Sequence, residues 1–239
     1  MTGASRGIGE ACALELAHRG ARVAICARKE EPLRQAAARI SAASGGEVEA
    51  IPAHVGHLGE LERLVGTVME RWGRIDVLVN NAGTSPHFGP TLDISPEAWD
   101  KIFEVNLRAP MLLTALVYRA WMAEQGGVVV NVSSIAGVNP ALGLGPYGVS
   151  KAALIMLTRQ LARELGGSGV RVNAVAPGIV ETEFARPLWE EGPLGDRNRR
   201  RNPLQRFAQP QEVATAVAFL ASDEASYVSG AVLQVSGGE

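Results

Sequence analysis

Short apolar runs alternate with stretches of helical periodicity along most of the chain. The runs that predict strands are Arg22–Ala27, Val48–Ala53, Asp76–Asn80, Val128–Ser133, Val170–Val175 and Ala231–Val235. The predicted helices are Glu10–Arg19, Pro32–Ala43, Leu58–Trp72, a long helix that starts at Ser95-Pro96-Glu97 and reaches about Met122, Tyr147–Leu165 and Pro210–Ala221. This alternation predicts an α/β fold with a doubly wound parallel sheet, formed by one domain over residues 1–239.

Composition narrows the possible functions. The 239 residues are 46% hydrophobic, enough for a substantial core, and carry a net charge of −2. This charge gives no electrostatic reason to expect a nucleic acid or a membrane surface as partner, and no apolar run approaches the roughly 20 residues of a membrane span. Cys12 and Cys26, the two cysteines, lack metal-type spacing. We therefore expect no metal site, and a cytoplasmic location.

Tyr147 and Lys151 lie four residues apart in a predicted helix. Residues four apart share one helix face, so both side chains can point into one pocket. A free tyrosine keeps its proton until about pH 10, and a neighbouring ammonium favours the tyrosinate, so we expect Lys151 to lower the pKa of Tyr147. Ser134 follows the run Val128–Ser133, which predicts its hydroxyl at the carboxyl end of a strand, where open α/β sheets bind ligands. Alone, the tyrosine and lysine would indicate only an amphipathic helix surface.

Further motifs accompany these three residues in a fixed order. They are Thr2-Gly3-Ala4-Ser5-Arg6-Gly7-Ile8-Gly9, Asn80-Asn81-Ala82-Gly83, Asn106 and Pro177-Gly178. Together with Ser134, Tyr147 and Lys151 they resemble the classical short-chain dehydrogenase/reductase family over essentially the whole chain, and Ser133–Ala185 is similar to its carbonyl-reductase-like members. The resemblance implies a Rossmann-type fold, a nicotinamide cofactor, and hydride transfer between that cofactor and a carbonyl compound or secondary alcohol.

The glycine turn and the end of the strand Arg22–Ala27 bear on the choice of cofactor. Glycines let a backbone turn tightly and approach a pyrophosphate, which then meets amide groups at a helix N-terminus. An NAD-specific site usually has an acid at the end of that strand, but here Ala27 is followed by Arg28 and Lys29. Because guanidinium groups bind phosphate well, we expect NADP(H) to be preferred, with NAD(H) possible. The alternative for these two basic residues is a solvated turn.

The resemblance also implies catalytic roles. Tyr147 would be the general acid in reduction and the general base in oxidation, and Lys151 would also bind the nicotinamide ribose. Ser134 would orient and polarise the carbonyl; Ser133 is its rival, but the thirteen-residue spacing to Tyr147 favours Ser134. Asn106 would hold a water in a proton relay to Lys151, or alternatively would only satisfy backbone groups in a helix bend.

Cofactor contacts are implied in six segments. They are Gly3, Ser5, Arg6, Gly7, Ile8 and Gly9; Arg28 and Lys29; His54 and Val55; Asn81, Ala82 and Gly83; Tyr147 and Lys151; and Pro177, Gly178, Ile179, Val180 and Thr182. His54 stands where the family usually carries an acid near the adenine. Ser236 stands where it usually carries an aspartate before the closing glycines, a departure expected to affect sheet packing.

The substrate is indicated only coarsely. The resemblance places a cover over the pocket at Glu181–Gln209 and an opposite wall at Asn139–Pro146. Both segments contain apolar residues, which favour an apolar carbonyl compound over a sugar. These residues are Phe184, Leu188, Trp189, Leu194, Leu142 and Leu144. The run Arg197–Arg201 could attract an acidic substrate or carrier, or form a solvated helix face. The alternatives are a 3-oxoacyl-carrier-protein reductase, a sugar or polyol dehydrogenase, and, in a different class, a non-catalytic dinucleotide-binding protein.

Two predicted helices carry more apolar residues than one buried stripe requires. The excess is visible in Met111-Leu112-Leu113 and in Leu154-Ile155-Met156-Leu157. The resemblance implies that these helices pair across a two-fold axis. We therefore expect a homotetramer, or at least a dimer.

The glycine turn follows Met1 directly, whereas the family has an apolar strand before it in the middle of the sheet. Without that first strand, two rows of backbone groups would lack partners, at about 1–3 kcal/mol for each buried group. We therefore expect the native protein to carry about 6–15 further residues ending in an apolar strand.

Overall fold

A parallel sheet with helices on both faces accounts for the alternating sequence pattern. The computed structural model describes residues 1–239. Its strands are β1 (Val23–Ala27), β2 (Val48–Pro52), β3 (Val77–Asn80), β4 (Gly127–Val132), β5 (Val170–Pro177) and β6 (Val232–Val235). All pairings are parallel, β1 with β2 in one part of the sheet and β3-β4-β5-β6 in the other. The doubly wound α/β architecture predicted from the sequence is confirmed.

The helices cover the two faces of the sheet. They are α1 (Gly7–His18), α2 (Glu30–Ser44), α3 (Leu58–Trp72), α4 (Pro96–Phe103), α5 (Ala109–Val117), α6 (Ala123–Gln125), α7 (Gly145–Leu165), α8 (Arg186–Trp189), α9 (Pro193–Arg201) and α10 (Pro210–Ala221). One core cluster packs α3 and α5 on the strands, and two further clusters pack α1, α2 and α10. No helix combines the length and the apolar content that crossing a bilayer would need.

Met1 and Thr2 join the two parts of the sheet. The Met1 amino group donates to the Ala24 carbonyl at 2.9 Å, and the Cys26 amide donates to the Met1 carbonyl at 2.9 Å. On the other side, the Thr2 amide donates to the Val79 carbonyl at 3.1 Å. These two residues therefore lie between β1 and β3 in the manner of a strand, directly before the glycine turn. The longer apolar strand expected from the sequence stays a prediction.

Most element boundaries fall within three residues of those predicted, and the main differences lie in two places. The long helix expected from Ser95 to Met122 is interrupted by π-helical turns at Glu104–Arg108 and Tyr118–Met122. The first turn precedes Pro110, which has no N–H and cannot continue the regular hydrogen bonds. Helices α8 and α9, within the segment predicted to cover the substrate, were not predicted as elements, because helices of four and nine residues give little apolar periodicity.

Candidate active site

The carboxyl ends of the central strands bring three predicted segments to one edge of the sheet. Asn81 follows β3, Ser134 follows β4, and Pro177 ends β5. Because the strands are parallel, their carboxyl ends lie side by side. Helix α7 crosses this edge and carries Tyr147 and Lys151 on one face. The arrangement matches the ligand-binding edge of open α/β sheets.

Lys151 is held rigidly in this corner. Its side chain is buried, with 3% of the residue exposed, and Nζ donates to the Val132 carbonyl at the end of β4 at 2.8 Å. The Ser133 hydroxyl donates to the Lys151 main-chain carbonyl at 3.0 Å, so Ser133, the rival for Ser134, has a structural partner. Burial disfavours the ammonium and lowers the pKa of Lys151 to about 8.

The pKa of Tyr147 moves in the direction opposite to that expected. Burial of the phenol raises it to about 12, and hydrogen bonding with Ser134 lowers it only in part. Lys151 Nζ lies 5.7 Å from the centre of the Tyr147 ring and donates to Val132. Lys151 therefore does not lower the pKa of Tyr147 in this arrangement, and the buried phenol holds its proton firmly.

Asn106 uses its whole amide group in the protein. Its Oδ1 accepts from the Thr84 amide at 2.8 Å, and its Nδ2 donates to the Thr84 carbonyl and to the Ser150 hydroxyl, both at 3.0 Å. The residue is fully buried in the π-helical turn before Pro110. Pro110 cannot donate to the carbonyl four residues earlier, which is that of Asn106. The Asn106 side chain is thus fully used within the protein, and its main-chain carbonyl lacks the donor that a regular helix would supply from residue 110.

Sequence reasoning missed Ser150, which links Asn106 to the catalytic helix. Its hydroxyl accepts from Asn106 and donates to the Tyr147 carbonyl at 2.7 Å, and the residue is fully buried. Its position directly before Lys151 was the available signal, since a serine inside a helix commonly bonds a carbonyl of the preceding turn. Thr84 was missed because it contacts Asn106 through its main-chain amide and carbonyl, and the residue type does not indicate a main-chain contact.

The glycine turn leaves no room for side chains. A Cβ on Gly3 would lie 2.8 Å from the Ala82 Cα, and one on Gly9 would overlap the Gly3 carbonyl oxygen. Gly7 has φ +61°, in the left-handed region that favours glycine. The backbone thus turns tightly at the N-terminus of α1, as a cradle for a pyrophosphate requires.

Asn81 and Thr2 fix this turn against the end of β3. The Asn81 side-chain amide donates to the carbonyls of Thr2 and Gly3 at 2.9 and 3.1 Å. In return, the Thr2 hydroxyl accepts from the amides of Asn81 and Ala82 at 3.0 and 3.1 Å. The Asn-Ala-Gly motif therefore supports the turn directly, while the exposed Gly83 lies near Lys151 and Asn106.

The predicted phosphate-binding residues lie in the open. Arg6, Arg28 and Lys29 are all exposed, and none has an acidic partner. Their side chains are therefore free to meet an anion. Together with the glycine cradle, they fit a phosphorylated dinucleotide.

His54 lies after β2 among charged neighbours. Burial lowers its pKa, with the charges of Lys101, His57 and Arg28 acting in the same direction. Its Nδ1 accepts from the Gly56 amide at 3.0 Å, and its ring stacks on that of His57 at 4.3 Å. A neutral ring thus stands at the position predicted near the adenine, and the neighbouring Val55 is buried in the core.

The segment after β5 returns to the glycine turn. A Cβ on Gly7 would lie 3.2 Å from the Thr182 methyl group, so the two segments are adjacent. The Trp189 indole donates to the Thr182 carbonyl at 2.8 Å and ties α8 to this point. Gly178 packs on Ser236, and the expected effect of this serine on sheet packing stays a prediction. Thr182, one of the predicted cofactor contacts, therefore lies beside the cradle.

Exposed apolar side chains lie on the two segments predicted to line the substrate pocket. The rings of Phe184 and Tyr147 lie 6.1 Å apart, and Phe184 is 53% exposed. Leu142 on the opposite wall is 91% exposed. Phe88, which sequence reasoning missed, packs near Gly143 on the same wall. These residues give the entrance an apolar character.

The fold and this edge define a class: an α/β nucleotide-binding oxidoreductase with a tyrosine–lysine pair. The family model described as enoyl-(acyl carrier protein) reductase matches residues 3–239. Dehydrogenase/reductase SDR family member 4 from Oryctolagus cuniculus is 42% identical over 238 residues, covering 100% of this chain and 91% of the relative. The chain belongs to the short-chain dehydrogenase/reductase family, and it is an NAD(P)-dependent oxidoreductase.

Solved structures agree with this assignment. A short-chain type dehydrogenase/reductase from Mycobacterium ulcerans superposes with a TM-score of 0.95 at 35% identity, covering 99% of this chain and 87% of that one. The F189W variant of actinorhodin polyketide ketoreductase with NADPH gives a TM-score of 0.93 at 38% identity, with 99% and 94% covered. No cluster of three or more histidine, cysteine, aspartate or glutamate side chains suited to a metal ion occurs in residues 1–239.

Proposed function

We propose that this protein is an NADP(H)-dependent oxidoreductase that interconverts a carbonyl compound and a secondary alcohol, with Tyr147 as general acid and base. One observation carries the proposal. The Tyr147 and Ser134 hydroxyls lie together beside the buried Lys151, at the sheet edge that also carries the glycine cradle. A carbonyl oxygen at this point would meet two hydroxyl groups that can donate to it.

The chain's own residues handle the proton and the substrate oxygen. The cofactor, when bound, supplies or accepts the hydride. Ser134 donates a hydrogen bond to the carbonyl oxygen and orients it, which stabilises the alkoxide that develops. Tyr147 gives its proton to that oxygen, and its raised pKa of about 12 keeps it protonated until a partially charged oxygen is present. Lys151 holds the cofactor ribose and stabilises the tyrosinate that remains.

The proton that Tyr147 gives to the substrate is replaced along a path through α5 and the turn that precedes it. The Asn106 main-chain carbonyl lacks the donor that Pro110 would otherwise provide, so it can hold a water. The Asn106 side chain is fixed by Thr84 and Ser150 and keeps that carbonyl in place. π-Helical turns are frequent at functional sites, and this one lies beside Lys151. The water would pass protons from solvent to Lys151 and then to Tyr147.

The cofactor preference is part of the proposal. Arg28, Lys29 and Arg6 are exposed without acidic partners, and Ala27 stands at the strand end where an NAD-specific site carries an acid. A 2′-phosphate would therefore gain charge-assisted hydrogen bonds and meet no carboxylate at that strand end. NADPH in the ketoreductase neighbour is consistent with this preference.

Substrate and assembly complete the proposal. The apolar entrance formed by Phe88, Leu142 and Phe184 suits an apolar carbonyl compound. We favour a carbonyl over the enoyl group in the family model's description, because Ser134 and Tyr147 both address an oxygen atom. The exposed Met111 and Met156 on α5 and α7 fit a subunit interface in a homotetramer. The compartment proposed is the cytoplasm.

A panel assay tests the proposal. Apolar ketones, oxoacyl thioesters, sugars and enoyl thioesters are reduced or oxidised with NADP(H) and with NAD(H), and the cofactor absorbance at 340 nm is followed. We expect turnover of a ketone, faster with NADPH than with NADH. Turnover of enoyl substrates alone, or of no substrate despite measurable cofactor binding, would contradict the proposed reaction.

A further inference from the structure

The end of β5 lies where the reactive ring of a dinucleotide would be bound. Ser134 follows β4, Pro177 ends β5, and these two strands are neighbours in the sheet. Arg28, proposed to meet the 2′-phosphate, follows β1 in the other part of the sheet. A dinucleotide that joins the two places must therefore put its nicotinamide beside Ser134 and the chain after Pro177, and its adenosine half toward Arg28.

The chain after Pro177 is supported from behind by the residue that follows β6. The Gly178 amide donates to the Val235 carbonyl at 3.0 Å. A Cβ on Gly178 would lie 3.0 Å from the Ser236 Cα, so Ser236 packs directly on this glycine. The position of Gly178 therefore depends on the position of Ser236.

Asn202, directly after α9, holds Ser236 in place. Its Nδ2 donates to the Ser236 main-chain carbonyl at 2.8 Å, and only 6% of the residue is exposed. Its Oδ1 accepts from the Leu204 amide at 2.9 Å. Gly237 has φ +69°, and a Cβ there would lie 2.6 Å from Asn202 Oδ1, so the chain after Ser236 passes close to this side chain. Sequence reasoning gave Asn202 no role.

Asn202 is also connected with the chain after β5 by a second route, through Ala208. The Ala208 amide donates to the Ile179 carbonyl at 3.0 Å, and the Ala208 carbonyl accepts from the Glu181 amide at 2.9 Å. The segment from Asn202 to Ala208 is therefore fixed to Ser236 at one end and to the proposed cofactor contacts at the other.

Gln205 shows that this segment is held against a backbone cost. It is the one non-glycine residue with a positive φ, +56°, in the left-handed region that side chains rarely adopt. Its main-chain amide and its side-chain amide both donate to the Asn202 carbonyl at 2.9 Å. Such a conformation persists only where surrounding contacts fix it, and it is frequent beside ligand sites. The contacts of Asn202 therefore fix a turn that the backbone alone would not favour.

We propose that Asn202 is a positioning residue for the nicotinamide half of the cofactor. It lies behind the proposed cofactor contacts, and its bond to Ser236 keeps Gly178 and the residues after it where the ring requires them. This inference rests on the proposed cofactor site and adds a residue outside it. Removing the bond should therefore weaken binding of the nicotinamide half and leave binding of the adenosine half unchanged.

The test compares NADP⁺ with 2′-phospho-ADP-ribose, which lacks the nicotinamide ring. Asn202→Asp keeps the shape of the side chain and replaces the donor to Ser236 by an acid. At about pH 8.5 we expect calorimetry to show NADP⁺ binding about threefold to tenfold weaker than in the wild type, the effect of one buried hydrogen bond, with 2′-phospho-ADP-ribose binding unchanged. A wild-type protein that binds neither ligand would instead contradict the proposed function.

The pH dependence identifies the bond to Ser236 as the cause. A carboxylate at this position can only accept and repels the Ser236 carbonyl, whereas the protonated acid can donate to it in place of the amide. Burial favours the protonated acid, so the NADP⁺ affinity of Asn202→Asp should return to within about twofold of the wild type at about pH 5.5. Glu239, whose pKa burial raises and Arg201 lowers, titrates in both proteins and cancels in the ratio. An equal loss of affinity at both pH values would overturn the assignment.

Asn198→Asp is the matched control. Asn198 also donates through its side-chain amide to a main-chain carbonyl, that of Leu188 at 2.8 Å, but has no bond to Ser236. We expect its NADP⁺ affinity to equal that of the wild type at both pH values. Asn202→Ala, which removes the bond without adding an acid, should show the same selective loss without the pH dependence. Equal weakening of both ligands, wild-type NADP⁺ affinity in both Asn202 variants, or the same loss in Asn198→Asp would overturn the positioning role.

Discussion

Two regions lie at the same edge of the sheet: the catalytic corner around Lys151, and the phosphate end formed by Arg28 and Lys29. They are built in opposite ways. In the corner, Lys151, Asn106 and Ser150 are buried, and each polar side chain has a partner in the protein. At the phosphate end, Arg28 and Lys29 extend into solvent without an acidic partner. The corner is therefore preorganised before any ligand arrives, whereas the phosphate end acquires its partners only from the ligand.

This difference sets what substitutions should do. A change in the corner removes a group whose neighbours are already fixed, so it should alter the rate of reaction or the stability of the fold. A change at the phosphate end removes a contact made only in the complex, so it should alter affinity and leave the fold intact.

The largest effect is expected at Tyr147. Tyr147→Phe keeps the ring that packs near Phe184 and removes only the proton donor. General acid–base catalysis contributes about 10²–10⁴-fold, so kcat should fall by about that factor, with NADPH affinity nearly unchanged. Steady-state kinetics and NADPH fluorescence titration measure the two quantities. Turnover within about threefold of the wild type would remove Tyr147 from the proposed role.

The same division explains what the sequence could predict. Strand and helix order, and the meeting of Ser134, Tyr147 and Lys151, depend on apolar periodicity and on residue spacing, both of which are local. The predicted direction of the Tyr147 pKa shift was wrong because burial of the phenol dominates it, and burial is not encoded in the four-residue spacing. Thr84 and Ser150 were missed because their contacts join segments distant along the chain.

Lys151 should destabilise the fold at neutral pH. Burial lowers its pKa from 10.5 to about 8, so the folded state disfavours the ammonium at pH 7 by about 3 kcal/mol. This cost is fully present below pH 8 and declines as pH rises toward 10.5, because the unfolded chain then also loses the proton. Lys151→Met should therefore be inactive but more stable in urea at pH 7, by up to about 3 kcal/mol.

The pH dependence distinguishes this effect from simple repacking. The stability difference between Lys151→Met and the wild type should shrink by more than half between pH 7 and about pH 9.5. Lys29→Met, which removes an exposed ammonium, is the control and should show no such trend. A Lys151→Met protein less stable than the wild type at pH 7 would mean that the bond to Val132 outweighs the burial cost.

At the phosphate end, Arg28 should govern cofactor choice. A charge-assisted contact with phosphate is worth about 1.5–3 kcal/mol, so Arg28→Ala should weaken NADPH binding about tenfold to a hundredfold. NADH binding and the melting temperature should barely change, because Arg28 has no ion-pair partner in the chain. The matched control is Arg22→Ala, which removes an exposed arginine directly before the first residue of β1. Equal weakening of both cofactors would show that Arg28 is structural.

The smallest effect is expected at Pro110, and it tests the proposed proton path. Pro110→Ala introduces an N–H that can donate to the Asn106 carbonyl, so that this carbonyl no longer favours a water. We expect kcat to fall about threefold to tenfold, less than for loss of the acid itself, with unchanged NADPH affinity. Pro96→Ala is the matched control, because a proline at the first position of α4 leaves no carbonyl without a donor. Wild-type kcat in a folded Pro110→Ala protein would show that the Asn106 carbonyl takes no part in the proton path.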